Sequence, residues 1–184
     1  MPVGHPDFGR LKICSCRMDT VGKQERGSLY RMSNLGALSH LTFDNFQPRG
    51  RVGMPMQQAN SLEQAFNTAQ HFAGSMQGWL LLLGRYGSGK THLAAAIANQ
   101  ALSMGVPTLF LTVPDLLDWL RFAYSNPSEG SFEDRFEEIR GVELLVLDDF
   151  GTQNATAWAT EKLFQILNHR YISKLPTVLT SNNQ

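Results

Sequence analysis

The sequence has little of several features that identify a protein class at once. Among 184 residues it has only two cysteines and an equal number of basic and acidic residues, 16 of each, so the formal net charge is zero. The chain therefore lacks the overall positive charge that is typical of many nucleic-acid-binding proteins. Apolar runs stay far below the roughly 20 residues that span a bilayer, and the N-terminus lacks the layout of a signal peptide. We therefore expect a cytoplasmic protein with no membrane segment.

The first 40 residues show few periodic apolar positions and are predicted to form an N-terminal arm or linker. Their only chemical peculiarity is the pair Cys14 and Cys16, with His5 and His40 as loose additional ligands. Structural zinc sites use four ligands, most often from two Cys-x₂₋₄-Cys pairs. We predict two surface thiols without metal, and a degenerate or shared zinc site is the alternative.

From about residue 42 the apolar pattern alternates between helical and extended spacing. Helices are predicted at 61–72, 90–104, 114–124, 132–139 and 155–173, and strands at 79–83, 108–112, 142–147 and 177–180. The run at 79–83 is unbroken and apolar, which is typical of a strand that is buried on both faces of a parallel sheet. Strands alternating with helices predict an α/β fold of three layers, with helices on both faces of a parallel sheet.

The strongest motif lies between the first predicted strand and the following helix. Residues Gly84 to Thr91 read Gly-Arg-Tyr-Gly-Ser-Gly-Lys-Thr and fit the phosphate-loop pattern G-x₄-G-K-[ST]. Such a loop turns its backbone N–H groups toward phosphates at the start of a helix. Lys90 is expected to reach the β- and γ-phosphates of ATP, and the Thr91 hydroxyl to bind Mg²⁺. The predicted nucleotide contacts are Gly84, Arg85, Tyr86, Gly87, Ser88, Gly89, Lys90, Thr91 and His92.

Two carboxylates follow the third predicted strand, where open α/β sheets bind their ligands. Asp148 is predicted to contact Mg²⁺ directly or through water, and Asp149 to act as the general base toward water. The fourth strand ends near Asn182, which is expected between these motifs and able to hydrogen-bond the γ-phosphate or the attacking water. A complete strand at 108–112 separates the two motifs in sequence. If this strand lies beyond the Asp148 strand, the layout is that of the additional-strand P-loop ATPases.

With these motifs placed, the chain from Leu41 to Gln184 resembles AAA+ helicase loaders of the DnaC/DnaI type, and it is also similar to the transposition helper ATPase IstB. The segments that carry the resemblance are Leu41-Thr-Phe-Asp-Asn-Phe46, Gly84 to Leu93, Leu145-Val-Leu-Asp-Asp-Phe-Gly151, Asn168-His-Arg-Tyr171 and Leu175 to Asn182. The resemblance implies an ATPase core at 41–184, self-assembly on ATP, a replicative DNA helicase as partner and single-stranded DNA bound inside the oligomer. It also implies that the N-terminal arm docks on the helicase.

Relatives of this kind carry an arginine finger, a fifth strand and often a helical lid after the position of Asn182. We therefore expect a fragment that is truncated before these elements, with strand 79–83 at an open sheet edge and slow ATP hydrolysis. An arginine within the chain, such as Arg170, is the alternative finger. The scattered basic residues are otherwise expected at the surface or in salt bridges: Arg121, Arg135, Arg140, Arg170 and Lys174.

Three functions remain open. The leading one is an ATP-driven helicase loader in DNA replication, and the second is an IstB-like transposition helper that acts beside a transposase. The third is a nucleotide-gated binding module without turnover, because a missing arginine finger costs ~10³–10⁵ in rate. A P-loop kinase for small molecules is the least favoured, since paired acids favour water as the nucleophile.

Overall fold

The computed structural model of the protein describes residues 33–125, 132–151 and 156–182. The helices are α1 (Met56–Ser75), α2 (Lys90–Ser103), α3 (Val113–Ser125), α4 (Phe132–Gly141) and α5 (Ala157–Ile172), and the strands are β1 (Trp79–Leu83), β2 (Thr108–Thr112), β3 (Leu144–Asp148) and β4 (Thr177–Ser181). Every helix and strand predicted from the sequence is present; β1 and β2 have the predicted bounds, and the other elements have at least one shifted end. Cys14 and Cys16 lie outside the described residues, so the hypotheses about them stay predictions.

The described strands form one parallel sheet in the order β1-β4-β3-β2. Trp79 pairs with Thr177, Leu145 pairs with Thr177 from the other side, and Thr108 pairs with Leu144. β2 lies beyond β3, which is the condition for the layout of the additional-strand P-loop ATPases, and the predicted α/β fold with a parallel sheet between helices is confirmed. All four strands therefore end at the same edge of the sheet, which brings the loops after β1, β3 and β4 together.

Two apolar cores cover the two faces of the sheet. On one face, α1 and the Ala-rich α2 pack on alternate strand residues such as Leu82, Val146 and Val178. On the other face, α3, α4 and α5 pack on residues such as Leu145 and Leu147. β3 is buried along its whole length, as a central strand of a parallel sheet should be. Across the described helices, none is both long and apolar enough to pass through a membrane.

β1 occupies an edge of this sheet, as the strand order predicted. Its side chains do not fit the expectation of a strand buried on both faces. Leu82 is buried, but Trp79, Leu81 and Leu83 are 38%, 53% and 55% exposed. An unbroken apolar run cannot distinguish an interior strand from an edge strand. Only the tertiary arrangement shows that the face of β1 with Trp79, Leu81 and Leu83 is left partly uncovered by the described residues.

The prediction of a surface position is wrong for Arg170, whose side chain is completely buried. It lies at the opposite end of the sheet from the phosphate loop, where β3 and β4 begin. Its guanidinium donates hydrogen bonds of 2.6–3.3 Å to five oxygen atoms. These acceptors are Thr177 Oγ1 and the backbone carbonyls of Arg140, Val142, Glu143 and Pro176.

This network has two consequences for the sequence-based predictions. Burial lowers the pKa of Arg170 to about 10, so the group is still protonated at neutral pH. The carbonyls of Val142 and Glu143 bind the guanidinium and the Val142 amide still donates to the Glu138 carbonyl of α4, and β3 begins at Leu144 rather than at the predicted position 142. A side chain fixed in this way cannot reach a neighbour's nucleotide, and Arg170 is excluded as an arginine finger.

Candidate nucleotide-binding site

The loop between β1 and α2 has the backbone that a phosphate cradle requires. Gly87 and Gly89 have φ angles of +73° and +91°, a region that residues with a Cβ rarely adopt. A Cβ on Gly89 would also lie only 3.0 Å from the ring of Phe46. Gly89 is the N-cap of α2, a helix of 14 residues, so the first N–H groups and the positive end of this helix face the loop. The loop can therefore accept an anion.

The first two residues of α2 hold the polar side chains of this loop. Lys90 is 8% exposed, and its Nζ donates a hydrogen bond of 2.9 Å to the backbone oxygen of Arg85. The Thr91 hydroxyl lies 3.0 Å from Oδ2 and 3.2 Å from Oδ1 of Asp148, and donates to this carboxylate. This contact joins the loop directly to the end of β3.

The two neighbouring carboxylates point to different partners. Asp148 is the last residue of β3 and is 4% exposed. Asp149 follows the strand with a φ of +58°, and its Oδ1 accepts a hydrogen bond of 2.9 Å from Asn182 Nδ2. Asp148 thus faces Thr91 on the phosphate loop, whereas Asp149 faces the end of β4. This divergence is what two separate tasks, metal binding and proton transfer, need.

The structure brings five of the predicted residues into one cluster at the carboxyl edge of the sheet. They are Lys90, Thr91, Asp148, Asp149 and Asn182. β4 lies between the other two strands of the site, and its Ser181 carbonyl accepts a hydrogen bond of 3.3 Å from the amide of Gly84. The strand order explains why residues far apart in sequence meet here. Their roles toward nucleotide and metal remain predictions.

The remaining predicted contacts fall into two groups. Arg85, Tyr86 and Ser88 are exposed on the loop. His92 turns instead to the segment before α1: its Nε2 lies 2.9 Å from the Thr42 carbonyl and 3.0 Å from Asn45 Oδ1. Both of these oxygens are acceptors, so Nε2 carries the proton. The predicted contact of His92 with nucleotide is untested, and its ring has a structural partner on this segment.

Sequence reasoning gave no individual role to three residues beside the site, although each lies in a segment that carries the resemblance. Asn45 holds the segment before α1 through its bonds to His40, Thr42 and His92. Phe46 packs edge-on against the His92 ring, with 5.0 Å between the ring centroids. Thr180 on β4 contacts Asp148 at the end of β3 and Asp149 directly after it. Its position two residues before Asn182 is a usable signal, because alternate residues of a strand share one side.

The donor atoms fit a magnesium nucleotide. Mg²⁺ prefers hard oxygen ligands in octahedral geometry and keeps several waters. The Thr91 hydroxyl and the Asp148 carboxylate provide such oxygens within 3.2 Å of each other. The start of α2 and the buried Lys90 provide the positive charge that phosphates require.

Known proteins with similar sequences and folds include two curated relatives and one solved structure. The replicative helicase loader DnaC of Escherichia coli strain K12 is 33% identical over 126 residues, which cover 68% of this chain and 51% of DnaC. A protein of insertion sequence IS1162 from Pseudomonas fluorescens, described as ATP-binding, is 37% identical over 102 residues, or 55% of this chain and 42% of that protein. The chain thus spans about half the length of these relatives.

The crystal structure of the DnaC helicase loader overlays with a TM-score of 0.66 at 24% identity and covers 78% of this chain and 77% of that chain. At this identity the likeness concerns the fold. A family model described as IstB-like ATP binding protein matches residues 21–184. With the phosphate loop and the sheet in place, this chain belongs to the family of IstB-like ATP-binding proteins.

Proposed function

We propose that this chain binds ATP with Mg²⁺ and hydrolyses it to ADP and phosphate. The observation that carries the proposal is the contact between Thr91 and Asp148, which are 57 positions apart in sequence. It links a loop shaped for phosphates to a carboxylate suited to magnesium. The Thr91 hydroxyl and Asp148 would hold the metal ion, which when bound neutralises charge on the β- and γ-phosphates.

Each neighbouring side chain has a defined part in this reaction. Lys90 Nζ exchanges its bond to the Arg85 carbonyl for the phosphate oxygens of ATP. Asp149 takes the proton of the water that attacks the γ-phosphorus, while the bond to the β-phosphate oxygen breaks and ADP leaves. Asn182, which donates to Asp149 in this structure, orients the water or the γ-phosphate. Fixed groups of this kind supply positioning and charge stabilisation, the main needs of phosphoryl transfer.

Within DNA replication, we propose that the chain acts as an ATP-driven helicase loader. The similarity to DnaC over 68% of this chain supports this role. ATP binding would promote self-assembly, with a replicative helicase and single-stranded DNA as partners, and hydrolysis would release the assembly. The test is a pull-down of a replicative helicase by this chain with ATP and with ADP. Capture that depends on ATP supports the loader, and no capture in either state contradicts it.

The match to the IstB-like family and the similarity to the IS1162 protein favour a second candidate, a transposition helper. This function uses the same ATPase site beside a transposase. ATP-dependent capture of a transposase in place of a helicase decides for it. A nucleotide-gated binding module without turnover is the non-enzymatic alternative, and a single-turnover assay with radiolabelled ATP distinguishes it from both.

Lys90→Ala tests nucleotide binding itself. Removing this cation from the loop should weaken MgATP binding at least ~100-fold, because charge-assisted bonds to phosphate are lost. Isothermal titration calorimetry measures the effect. Arg121→Ala is the matched control: it removes a cation that pairs with Asp118 on α3 and should leave the affinity within threefold. Unchanged affinity in Lys90→Ala would show that the loop does not bind the phosphates.

A further inference from the structure

Thr180 is a buried residue that touches both carboxylate residues of the site. Its side chain is 0% exposed. Its hydroxyl donates a hydrogen bond of 2.5 Å to Asp148 Oδ1 and accepts one of 3.1 Å from the backbone N–H of Asp149. The neighbouring strand thus contacts the side chain of one acidic residue and the backbone of the other through a single atom.

The two hydrogen bonds fix the direction of the hydroxyl. A threonine hydroxyl has one proton and two lone pairs. Because the proton goes to Asp148, a lone pair remains for the Asp149 amide. Oδ1 of Asp148 accepts this bond, and Thr91 donates to both oxygens of the same carboxylate, at 3.0 Å for Oδ2 and 3.2 Å for Oδ1. Thr180 and Thr91 therefore hold the Asp148 carboxylate between β4 and the phosphate loop.

The bond to the Asp149 amide acts on an unusual piece of backbone. Asp149 has a φ of +58°, a left-handed conformation that is uncommon for a residue with a side chain. Its amide is held by Thr180 and its carboxylate by Asn182, so two residues of the β4 end set the place of this side chain.

We propose that Thr180 is a positioning residue that couples the metal-binding carboxylate to the general base. The inference rests on the proposed ATPase function. Through Oδ1 it orients Asp148 for magnesium, and through the amide it holds Asp149 in the left-handed turn that directs its carboxylate to Asn182. One hydroxyl thereby keeps the two acids in a constant relative arrangement.

The experiment compares Thr180→Val, Thr180→Ser and wild type in the full chain. Valine keeps the shape and removes both hydrogen bonds, whereas serine keeps the hydroxyl. Thr108→Val is the matched control, because it removes another buried hydroxyl, bonded to the Val106 carbonyl at the far end of the sheet. The measurements are amide hydrogen exchange by NMR without nucleotide, ATP affinity by calorimetry in EDTA and in Mg²⁺, and single-turnover hydrolysis.

In Thr180→Val we expect the Asp149 amide to exchange at least ~10-fold faster than in wild type. ATP affinity in EDTA should stay within about twofold, since Lys90 and the loop amides are unchanged. The gain in affinity on adding Mg²⁺ should fall ~10-fold, the lower range for losing a group that orients a metal ligand. Hydrolysis should slow by ~10²-fold through misplacement of the base. Thr180→Ser should restore all three, and Thr108→Val should change none.

Two results overturn the inference while leaving the ATPase proposal intact. One is a Thr180→Val protein with the Mg²⁺ effect and turnover of wild type. The other is a hydrogen-exchange rate of the Asp149 amide in wild type that equals the rate of an exposed turn. This measurement uses only the wild-type protein, so it does not depend on whether a variant folds. If wild type itself shows neither an Mg²⁺-dependent affinity nor hydrolysis, the proposed function fails, and the inference fails with it.

Discussion

The two ends of the parallel sheet each bury a charged side chain, and the charges are satisfied in different ways. At the amino end, all five N–H groups of Arg170 donate to oxygen atoms of the protein. At the carboxyl end, Asp148 accepts from the hydroxyls of Thr91 and Thr180. A carboxylate has about four lone-pair sites, so these two donors leave it capacity for a ligand.

The comparison separates a structural charge from a functional one. A guanidinium whose donors are all used has nothing left with which to bind a partner, although five bonds make it a strong tie between α5 and the starts of β3 and β4. Among the described residues, the carboxylate is oriented by two neutral hydroxyls, which do not neutralise its negative charge, and it faces a loop built for a phosphate–metal complex. Burial alone therefore does not identify a functional residue, whereas the remaining hydrogen-bonding capacity does.

The largest effect on activity is expected from Asp149→Asn. Loss of the general base should slow ATP hydrolysis by ~10²–10⁴, because asparagine cannot take the proton from water. MgATP affinity and the free energy of unfolding should stay close to wild type. Asp118→Asn, a change at an exposed acid on α3, is the control. Hydrolysis within threefold of wild type in single-turnover assays would exclude Asp149 as the base.

At the other end of the sheet, Arg170→Met should act on stability. Methionine fills the space but removes the guanidinium donors from Thr177 and from several partly buried carbonyls, at a cost of up to roughly 1–3 kcal/mol each. We expect the free energy of unfolding to fall by about 3 kcal/mol or more in urea denaturation, with ATP affinity of the folded protein retained. Arg140→Met, which removes a partly exposed ion pair with Glu137, should cost less than about 1 kcal/mol. Equal losses in the two variants would contradict the structural role of Arg170.

Asp148→Asn should change the metal requirement. The amide retains the shape of the carboxylate and loses its charge, so the Mg²⁺ concentration needed for half-maximal ATP binding should rise about 10–100-fold. Calorimetric titrations at a series of Mg²⁺ concentrations measure this, with Asp149→Asn as the matched variant. Identical metal curves for the two variants would show that the acids do not divide their tasks as proposed.

The smallest effect is expected at the segment before α1, where Asn45→Ala removes the side chain that bonds His40, Thr42 and His92. These partners are partly solvated, so we expect a loss of about 1 kcal/mol in the free energy of unfolding. The Thr42 amide should also exchange faster. Asn168→Ala on the exposed face of α5 is the control. No difference between the two variants would mean that the segment is held without Asn45.

Local sequence patterns were sufficient for the phosphate loop and for the strands. The glycine spacing of the loop, the apolar run before the loop and the Ala-rich helix after the loop all lie within 25 residues, so a local pattern contains the whole signal. The strand order and the meeting of Thr91 with Asp148 followed from general rules of parallel sheets and from the resemblance.

Features that depend on tertiary neighbours were not predictable from the sequence. The exposure of Leu81, the burial of Arg170 and the turn of His92 toward Asn45 depend on which elements lie beside them. Thr180 was missed because a threonine in a strand acquires a role from the strand beside it, here β3 with Asp148 at its end and Asp149 directly after it. Its spacing from Asn182 was the signal that the sequence offered. The wrong predictions therefore concern which side chains are buried or exposed, whereas the predicted helices and strands are of the right type.

The position of β1 has a consequence for how the chain folds during synthesis. Among the described residues β1 pairs with β4. Trp79 can therefore form its strand pair only after Thr177, 98 residues later, has been synthesised. At ~5–20 residues per second on the ribosome, this interval is roughly 5–20 s. Throughout it, the five apolar residues of β1 lack their β4 partner, and the phosphate loop lacks the contact of Gly84 with Ser181. Rare codons or slow translation before residue 177 should therefore lengthen the exposure of this segment to chaperones and to aggregation.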